Sequence, residues 1–546
     1  MIDKDGNFYK PERGSSQKPD HIMLSFCGDP HKEMAVSWRT DINIKSGYVI
    51  VREKGKDESI KIEAIAREKE TDIDKSTYFT AILNNLSSNT EYEYSVGDEL
   101  NRSKFFSFRT EKDDTDCFSF IVITDHQKGN PTHLPDYSKV NSLLKTALKR
   151  HPEIKFIFTG GDNCDNGQND LQWNGMFSGL EGIIESVPYM MTTGNHDNRG
   201  FLSYFPQPTG KFYLEHADFF DFQYKYAFPQ NGPKGYETEN YSFDYGNVHF
   251  NVLGINAPDK VSDWAYDDMQ KSDKTWKIAS YHFPIYPVMP EGQNNDGYPW
   301  LRKAIEQGRP DIVINGHEHS FARTFPIMND EMYDKPSEGV IHYIAGNAGG
   351  NIYHSNARKI WHTAFYPQEE RMGLYCLFEI NKNVLTATAY MEDGRIVDKM
   401  IVDKNKDEIL PYSLAPIYDR TKICFKGQML EFSIRGCYAE CIENIWFIPL
   451  GAIIQAQGGK VIKGENNLIC EMYKHKAEFT EGDIIAKTDC GDKELLAKPV
   501  FIEGQLYVPA ESASIFGLEW YYAMRNNIIN INSPHEDKVI YRHPGR

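Results

Sequence analysis

Five short polar clusters contain the residues of this chain that are suited to chemistry. They are Asp125-His126-Gln127, Gly161-Asp162-Asn163-Cys164-Asp165, Gly194-Asn195-His196-Asp197, His282, and Gly316-His317-Glu318-His319. Carboxylate and amide oxygens combined with imidazole nitrogens are the ligands that a pair of divalent cations needs. Because such a pair activates a water molecule and clamps a phosphoryl group, the clusters indicate hydrolysis of phosphoesters.

Each cluster follows an apolar run that is typical of a buried strand. The runs are 118–124, 154–159, 187–193, 276–281 and 311–315. Helical patterns lie between them at 139–150, 171–185 and 300–307. This alternation predicts an α/β core. Ligands of such cores bind beyond the carboxyl ends of the strands, so we expect the five clusters to converge.

The ordered set of clusters resembles the calcineurin-like metallophosphoesterase superfamily. Within it, the chain is most similar to the bacterial purple-acid-phosphatase-like branch over residues 20–400. One reason is the stretch 316–324, which reads GHEHSFART where the family has Gly-His-x-His-x-Tyr-Glu-Arg-Thr. Five motifs in the same order make the resemblance specific.

The resemblance implies a role for each matching residue. Asp162 matches the carboxylate that bridges two metals. The other ligands are Asp125 and His319 at the first metal, and Asn195, His282 and His317 at the second. His196 matches the histidine that stabilises the transition state and protonates the leaving oxygen. Asp165 would hold His196 in position.

Two departures from the family pattern affect the metals. Asp165 stands where plant and mammalian purple acid phosphatases have a tyrosine ligand, so we do not expect a purple protein. Gln127 stands where other branches have a second histidine, and it either ligates the first metal or hydrogen-bonds to a ligand. We expect two divalent or trivalent ions of Mn, Fe or Zn.

Further residues are candidates for contact with the substrate. Arg323 follows the last motif and is a candidate phosphate ligand, although an arginine there also suits pairing with a carboxylate. His354 lies on a glycine-rich loop after a predicted strand and is a candidate substrate contact. We expect Asp197 to fix a turn or a ligand, and His126 to form a pocket wall.

Composition and charge limit the partners and the location that we expect for the protein. The 546 residues have a formal net charge of −18, so we expect no nucleic-acid-binding surface. No apolar run reaches the ~20 residues that span a bilayer. The polar start, MIDKDGN, lacks a signal peptide, so the chain as given is expected in the cytoplasm, or outside the cell if a leader was removed.

The chain divides into four predicted regions. Residues 1–19 form a flexible arm, 20–111 a β-sandwich, 115–403 the catalytic domain and 421–532 a small α+β domain with two repeats. The sandwich resembles a fibronectin type III module and the N-terminal domain of purple acid phosphatases. The repeats resemble a copper-amine-oxidase N-terminal-like stalk domain, which implies attachment or cell-wall contact; without a histidine cluster, we expect no copper. The predicted catalytic core consists of two packed mixed β-sheets flanked by helices.

Three functions remain open from the sequence. The first is a phosphatase that hydrolyses a small phosphomonoester. The second is a phosphodiesterase or nucleotide hydrolase with the same metals, because the phosphate-gripping histidines that the family has after the fourth motif are absent from this sequence. The third is an inactive surface protein that binds phosphorylated ligands.

Overall fold

The computed structural model of the chain describes residues 14–532, except for a set of internal stretches. Those outside the described residues are 72, 114, 130–132, 168, 198–224, 256–257, 290–298, 354–355, 357, 360, 369, 371, 413–420, 427, 431–437, 503 and 524–527. The candidate substrate contact His354 lies outside the described residues.

The N-terminal part is a sandwich of two four-stranded sheets. Its strands are β1 (Asp20–Ser25), β2 (Met34–Asp41), β3 (Tyr48–Glu53), β4 (Ile60–Glu63), β5 (Ile65–Glu70), β6 (Lys75–Leu83), β7 (Glu91–Gly97) and β8 (Phe106–Arg109). The sheet orders are β1-β2-β6-β5 and β4-β3-β7-β8. Trp38 is buried and stacks on Phe79, with ring centroids 5.1 Å apart. Alternating side chains therefore meet in one core, as a sandwich requires.

The core that follows has two larger mixed sheets. Its strands are β9 (Cys117–Ile123), β10 (Ile154–Thr159), β11 (Tyr189–Met191), β12 (Tyr241–Tyr245), β13 (Val248–Leu253), β14 (Trp276–Tyr281), β15 (Ile312–Asn315), β16 (Phe321–Met328), β17 (Glu331–Met332), β18 (Val340–Ala345), β19 (His362–Tyr366), β20 (Leu374–Asn381), β21 (Val384–Met391), β22 (Ile396–Asp403) and β23 (Glu408–Tyr412). The orders are β11-β10-β9-β20-β21-β22-β23 and β12-β13-β14-β15-β18-β16-β17, with β19 paired to β16. The predicted α/β core with an N-terminal sandwich is confirmed.

Helices cover the sheets. Their bounds are α1 (Ser138–Arg150), α2 (Asp170–Leu180), α3 (Pro258–Lys271), α4 (Pro299–Arg302), which continues into a π-helical turn at Lys303–Gln307, and a 3₁₀ turn at Pro336–Glu338. In α1 the buried side chains are Val140, Leu143, Leu144 and Ala147, the spacing of an amphipathic helix. The helix predicted to reach Glu185 ends at Leu180, because the chain turns at Gly182 (φ +83°) and the Glu185 carboxylate accepts the Gly182 N–H.

Strand direction brings the polar clusters to one place. In the first sheet, β9, β10 and β11 run parallel as neighbours, and in the second β13, β14 and β15 do the same. Parallel neighbours end at the same edge of a sheet. The loops after β9, β10, β11, β14 and β15 therefore meet, and they contain the five clusters.

A buried ion-pair group joins the sandwich to the catalytic core. Arg39 of β2 donates from Nη1 to Asp170 Oδ2 at 2.7 Å, and Lys225 Nζ lies 2.5 Å from Asp170 Oδ1. Asp170 is the first residue of α2. The Tyr94 hydroxyl of β7 also donates to the Glu185 carbonyl at 2.7 Å. The two parts therefore share polar contacts as well as apolar core.

The C-terminal part is a small domain with a core of its own. Its elements are β24 (Lys422–Phe425), β25 (Gln428–Met429), β26 (Glu440–Ile442), β27 (Ile445–Ile448), α5 (Leu450–Ala456), β28 (Lys460–Lys463), β29 (Asn467–Met472), β30 (His475–Thr480), β31 (Ile485–Thr488), β32 (Lys493–Glu494), β33 (Val500–Ile502), β34 (Gln505–Pro509), a 3₁₀ helix at Ala510–Phe516, β35 (Trp520–Ala523) and β36 (Ile528–Ile531). Equivalent strands of the two sequence repeats, β27 and β34, pair with each other. Among the helices of the described residues, none is both long and apolar enough to cross a membrane.

Candidate metal centre

The structure brings the six predicted ligands into two overlapping groups. One group is Asp125, Asp162 and His319, and the other contains Asp162, His282 and His317; within each group the ligand atoms lie within 4.8 Å of one another. Asp162 belongs to both groups, which is the position of a carboxylate between two cations. Asp125, Asp162, His282 and His319 are buried, whereas His317 and Asn195 are partly buried.

The second group has the spacing of ligands around one cation. Asn195 Oδ1 lies 3.1 Å from His282 Nε2 and 3.0 Å from His317 Nδ1. His282 Nε2 lies 3.2 Å from Asp162 Oδ2. Atoms that bind one cation at about 2.1 Å are roughly 3.0–3.4 Å apart at octahedral or tetrahedral angles. The sixth predicted ligand, Asn195, therefore joins this group.

The hydrogen bonds of His282 direct its Nε2 at acceptor oxygens, so this position favours positive charge. Its Nδ1 donates to the Gly160 carbonyl at 2.9 Å, so Nε2 directs its lone pair at the acceptor oxygens of Asp162 and Asn195. Burial opposes protonation of this ring, but the Asp162 carboxylate outweighs it and raises the pKa of His282 to about 9. Three acceptor atoms, His282 Nε2 and the oxygens of Asp162 and Asn195, face one another, so a proton or a cation must lie between them. This set of ligand atoms suits a metal ion.

The first group is fixed by its own hydrogen bonds. His319 Nε2 lies 3.3 Å from Asp125 Oδ1, while its Nδ1 donates to the Asn351 carbonyl. Both Asp125 oxygens accept the His317 backbone N–H at 2.9 Å, and Oδ2 accepts the Thr124 hydroxyl at 2.7 Å. A histidine whose second nitrogen is held by a carbonyl keeps its free nitrogen aimed at a metal.

Gln127 lies at the first group. Its Nε2 is 3.4 Å from Asp162 Oδ2 and 3.3 Å from His319 Nε2, whereas its Oε1 is buried and has no hydrogen-bond partner among the described residues. The oxygen and nitrogen of an amide are assigned from their surroundings. Exchanging them directs the Gln127 oxygen at the ligand atoms, which suits a cation there.

Four of the ligands have a backbone conformation that is rare outside glycine. The φ angles are +52° at Asp125, +54° at Asp162, +72° at His317 and +52° at His319. A left-handed backbone at a residue with a Cβ costs about 1–2 kcal/mol, and it persists where the surroundings enforce it. Packing and hydrogen bonds therefore hold these side chains in place before any ligand arrives.

Glycines in the motifs allow the loops to approach closely. A Cβ at Gly194 would lie 2.1 Å from Asp162 Oδ1, and one at Gly161 would lie 2.5 Å from His282 Nδ1. A Cβ at Gly316 would lie 2.1 Å from the Thr124 hydroxyl oxygen. Each of these glycines is therefore required by the packing of a neighbouring motif.

His196 and Asp165 form a pair beside the ligands. His196 Nδ1 lies 2.9 Å from Asp165 Oδ1, and Nε2 lies 3.9 Å from Asp162 Oδ2. The His196 backbone N–H donates to Asp162 Oδ1 at 2.8 Å. Asp197 is buried and accepts the backbone N–H groups of Asn163 and Gly194 at 2.9 and 2.8 Å, so it joins two motif loops.

Two residues predicted near the substrate lie elsewhere. Arg323 is buried and forms a two-pronged pair with Asp398, at 2.7 Å from Nε and 3.0 Å from Nη2. This pairing fits the carboxylate alternative for Arg323 rather than a phosphate contact, because the guanidinium donors are already engaged. His126 is buried in the core, where its Nε2 hydrogen-bonds with the Tyr189 hydroxyl at 3.0 Å, and burial lowers its pKa to about 4.

The sequence reasoning missed two residues that shape the site. Glu318 is buried and accepts the N–H groups of Val288 and Met289 at 2.8 and 2.7 Å; burial raises its pKa to about 7. Its position between two ligand histidines is the signal that points to it. Tyr353 stacks on the His319 ring, with centroids 4.3 Å apart, and no local pattern marks it.

Comparison with known proteins gives two domain matches. Residues 19–110 match the purple acid phosphatase N-terminal domain, and residues 118–321 match the calcineurin-like phosphoesterase domain. All six predicted ligands, together with His196 and Asp165, fall within the second match. The matches support a metal-dependent phosphoric ester hydrolase.

Two relatives from Arabidopsis thaliana are similar over most of the chain. One is named "Probable inactive purple acid phosphatase 1"; it is 25% identical over 369 residues, which cover 61% of this chain and 58% of the relative. The other, "Purple acid phosphatase 22", is 25% identical over 349 residues, which cover 61% of this chain and 73% of the relative. The chain thus spans little more than half the length of the first relative.

A solved structure shares the fold. The purple acid phosphatase isolated from yellow lupin (Lupinus luteus) seeds superposes with a TM-score of 0.56 at 19% identity. The superposition covers 73% of this chain and 78% of the lupin chain. The likeness supports the same arrangement of sandwich and two-sheet core.

Proposed function

We propose that this chain, which has a purple acid phosphatase N-terminal domain and a calcineurin-like phosphoesterase domain, hydrolyses small phosphomonoesters with two metal ions. One observation carries the proposal: His282 Nε2 faces the oxygens of Asp162 and Asn195 while its Nδ1 proton is given to Gly160. A proton or a cation satisfies that arrangement, and the second ligand group that shares Asp162 favours a pair of cations.

Two sets of residues would hold the metals. Asp125, Asp162 and His319, with the Gln127 oxygen, would hold the first ion, and Asp162, Asn195, His282 and His317 the second. When bound, such a pair supplies Lewis acidity that polarises a phosphoryl group and activates a water. The oxygen and imidazole donors suit Mn, Fe or Zn. Asp165 in place of a tyrosinate leaves no ligand for a purple charge-transfer band.

His196 would move the proton. With Nδ1 paired to Asp165, the other nitrogen, Nε2, would hold a proton on the side of Asp162. From there it can donate to the leaving oxygen, so that an alcohol departs rather than an alkoxide. Asp165 fixes the ring orientation and does not touch the substrate in this scheme.

The test combines metal content with turnover. The purified protein is analysed for metals, and hydrolysis of p-nitrophenyl phosphate and bis(p-nitrophenyl) phosphate is measured before and after addition of Mn(II). We expect two metals per chain and faster turnover of the monoester. Faster turnover of the diester would favour a phosphodiesterase. Two metals without turnover of either would favour a protein that binds phosphorylated ligands, as the word "inactive" in the name of one relative allows.

A further inference from the structure

The segment that directly follows the ligand His282 lies outside both sheets. Residues 283–289 belong to no helix or strand, and all of them except Phe283 are buried. Backbone groups in the interior need hydrogen-bond partners, and here neither a sheet nor a helix provides them. Side chains supply such partners at both ends of the segment, and they determine where it lies.

Glu318 holds the far end of this segment. Its Oε2 accepts the backbone N–H groups of Val288 at 2.8 Å and Met289 at 2.7 Å. Lys359 Nζ donates to the Met289 carbonyl from the other side. Both side chains are buried, so water does not compete for these bonds. Met289 is thus held through its N–H and its carbonyl alike.

Asn315 holds the near end of the segment. Its Nδ2 donates to the carbonyl of Tyr281 at 2.6 Å and to that of Phe283 at 3.2 Å, which are the residues on either side of His282. The His282 carbonyl accepts the Gly316 N–H at 2.9 Å. Three consecutive carbonyls around one ligand are therefore fixed by the two residues that open the last motif.

We propose that Asn315 and Glu318 are positioning residues, which set the place of the ligand His282 relative to the ligand His317. Both flank His317 in the sequence, and both hold the segment that begins at His282, so a change in either would move one ligand against the other. The inference rests on the proposed function, since a metal ion must bind between the two histidines. Ligands that are held in place before an ion arrives lose less freedom on binding it, so affinity rises.

The test measures binding of Mn(II) to the full chain after chelation, by isothermal titration calorimetry. Glu318→Met keeps about the length of the side chain but removes the acceptor, so we expect the affinity for one of the two ions to fall by about 10- to 100-fold. Glu318→Gln keeps an acceptor oxygen and should bind both ions like the wild type. Glu306→Met is the matched control, because Glu306 is also a buried glutamate but pairs with Arg302. It should change neither affinity.

The dependence of turnover on Mn(II) separates positioning from catalysis. With p-nitrophenyl phosphate, Glu318→Met should need about 10- to 100-fold more Mn(II) for half-maximal activation, and saturating Mn(II) should restore the wild-type kcat. A kcat that excess Mn(II) does not restore would contradict the positioning role. Asn315→Ala applies the same two measurements at the other end of the segment, with the same expected shift, and replaces Glu318→Met if that variant does not fold.

Calorimetry also separates failure of this proposal from failure of the proposed function. Wild-type protein that binds two ions but hydrolyses no ester would refute the hydrolase, while the affinities of the variants would still test the positioning role. Wild-type protein that binds fewer than two ions would refute the metal centre itself. Unchanged affinities in Glu318→Met and Asn315→Ala, or equal losses in Glu318→Gln or Glu306→Met, would overturn the positioning proposal.

Discussion

Two parts of the molecule each bring metal-ligating side chains together, but in different ways. In the catalytic core the groups around Asp162 are buried, whereas in the C-terminal domain His475, Asp489 and Cys490 form a largely exposed group. In both places three potential ligand atoms lie within 4.8 Å of one another. Proximity alone therefore does not distinguish them.

The backbone and the hydrogen bonds do distinguish them. Four core ligands have left-handed φ angles, and none of the three C-terminal residues is among the described residues with that conformation. His282 and His319 each give one ring proton to a carbonyl. No hydrogen bond from the side chains of His475, Asp489 or Cys490 is seen to any described residue. A built site therefore differs from a chance cluster in its strained backbone and in the hydrogen bonds that hold its ligand atoms in place before any ligand binds.

The largest expected effect comes from the shared carboxylate. Asp162→Asn removes charge from both groups, so we expect loss of both metals and a fall in kcat/KM of about 10³-fold or more, since two ions contribute several kcal/mol to the transition state. Elemental analysis and p-nitrophenyl phosphate turnover measure the two results. Asp489→Asn is the matched control and should change neither. Retention of both metals in Asp162→Asn would remove the distinction between the two regions.

A change beside the core ligands should separate catalysis from metal binding. His196→Ala removes the proton donor but no ligand, so we expect kcat to fall by roughly 10²–10⁴-fold with both metals retained. Stopped assays on protein of measured metal content give both numbers. Equal kcat values for the variant and the wild type would exclude His196 from proton transfer.

A smaller effect is expected from Asp165, which contacts His196 and is not one of the candidate metal ligands. Asp165→Asn keeps the shape of the side chain that orients His196 but removes its charge, so we expect kcat to fall by about 10- to 100-fold. Because Asp165 acts through His196, adding Asp165→Asn to His196→Ala should change kcat little further. Independent, additive losses in this double-mutant cycle would contradict a positioning role.

The smallest effect is expected from a substitution in the exposed C-terminal group of His475, Asp489 and Cys490. Cys490→Ser should leave the metal content after dialysis unchanged and alter turnover by less than about twofold, because exposed substitutions away from a built site have small effects. Cys441→Ser, at another exposed cysteine of the same domain, is the control. A third tightly held metal that disappears only in Cys490→Ser would show that the exposed group is also arranged for binding.

The predicted ligands were accessible from the sequence because each lies within four residues after the end of a strand. Asp125, Asp162 and His282 end apolar runs, and parallel strands carry their ends to one edge. The partner of Arg323 could not be predicted, because Asp398 lies on β22, 75 residues away, and no local pattern reveals a pair of that separation. The left-handed φ angles were equally hidden, since they arise from contacts between loops.

The ion pair between Arg39 and Asp170 limits how easily the N-terminal sandwich and the catalytic core can be separated. Asp170 lies five residues after Asp165, so the sandwich braces the segment that leads to the proton-donating pair. A catalytic core expressed without residues 14–110 would keep Lys225 beside the Asp170 carboxylate but lose Arg39, and it would expose apolar surface, so we expect it to be destabilised. The boundary between the two matched domains is thus a boundary in sequence, whereas their shared buried contacts predict that they fold as one unit.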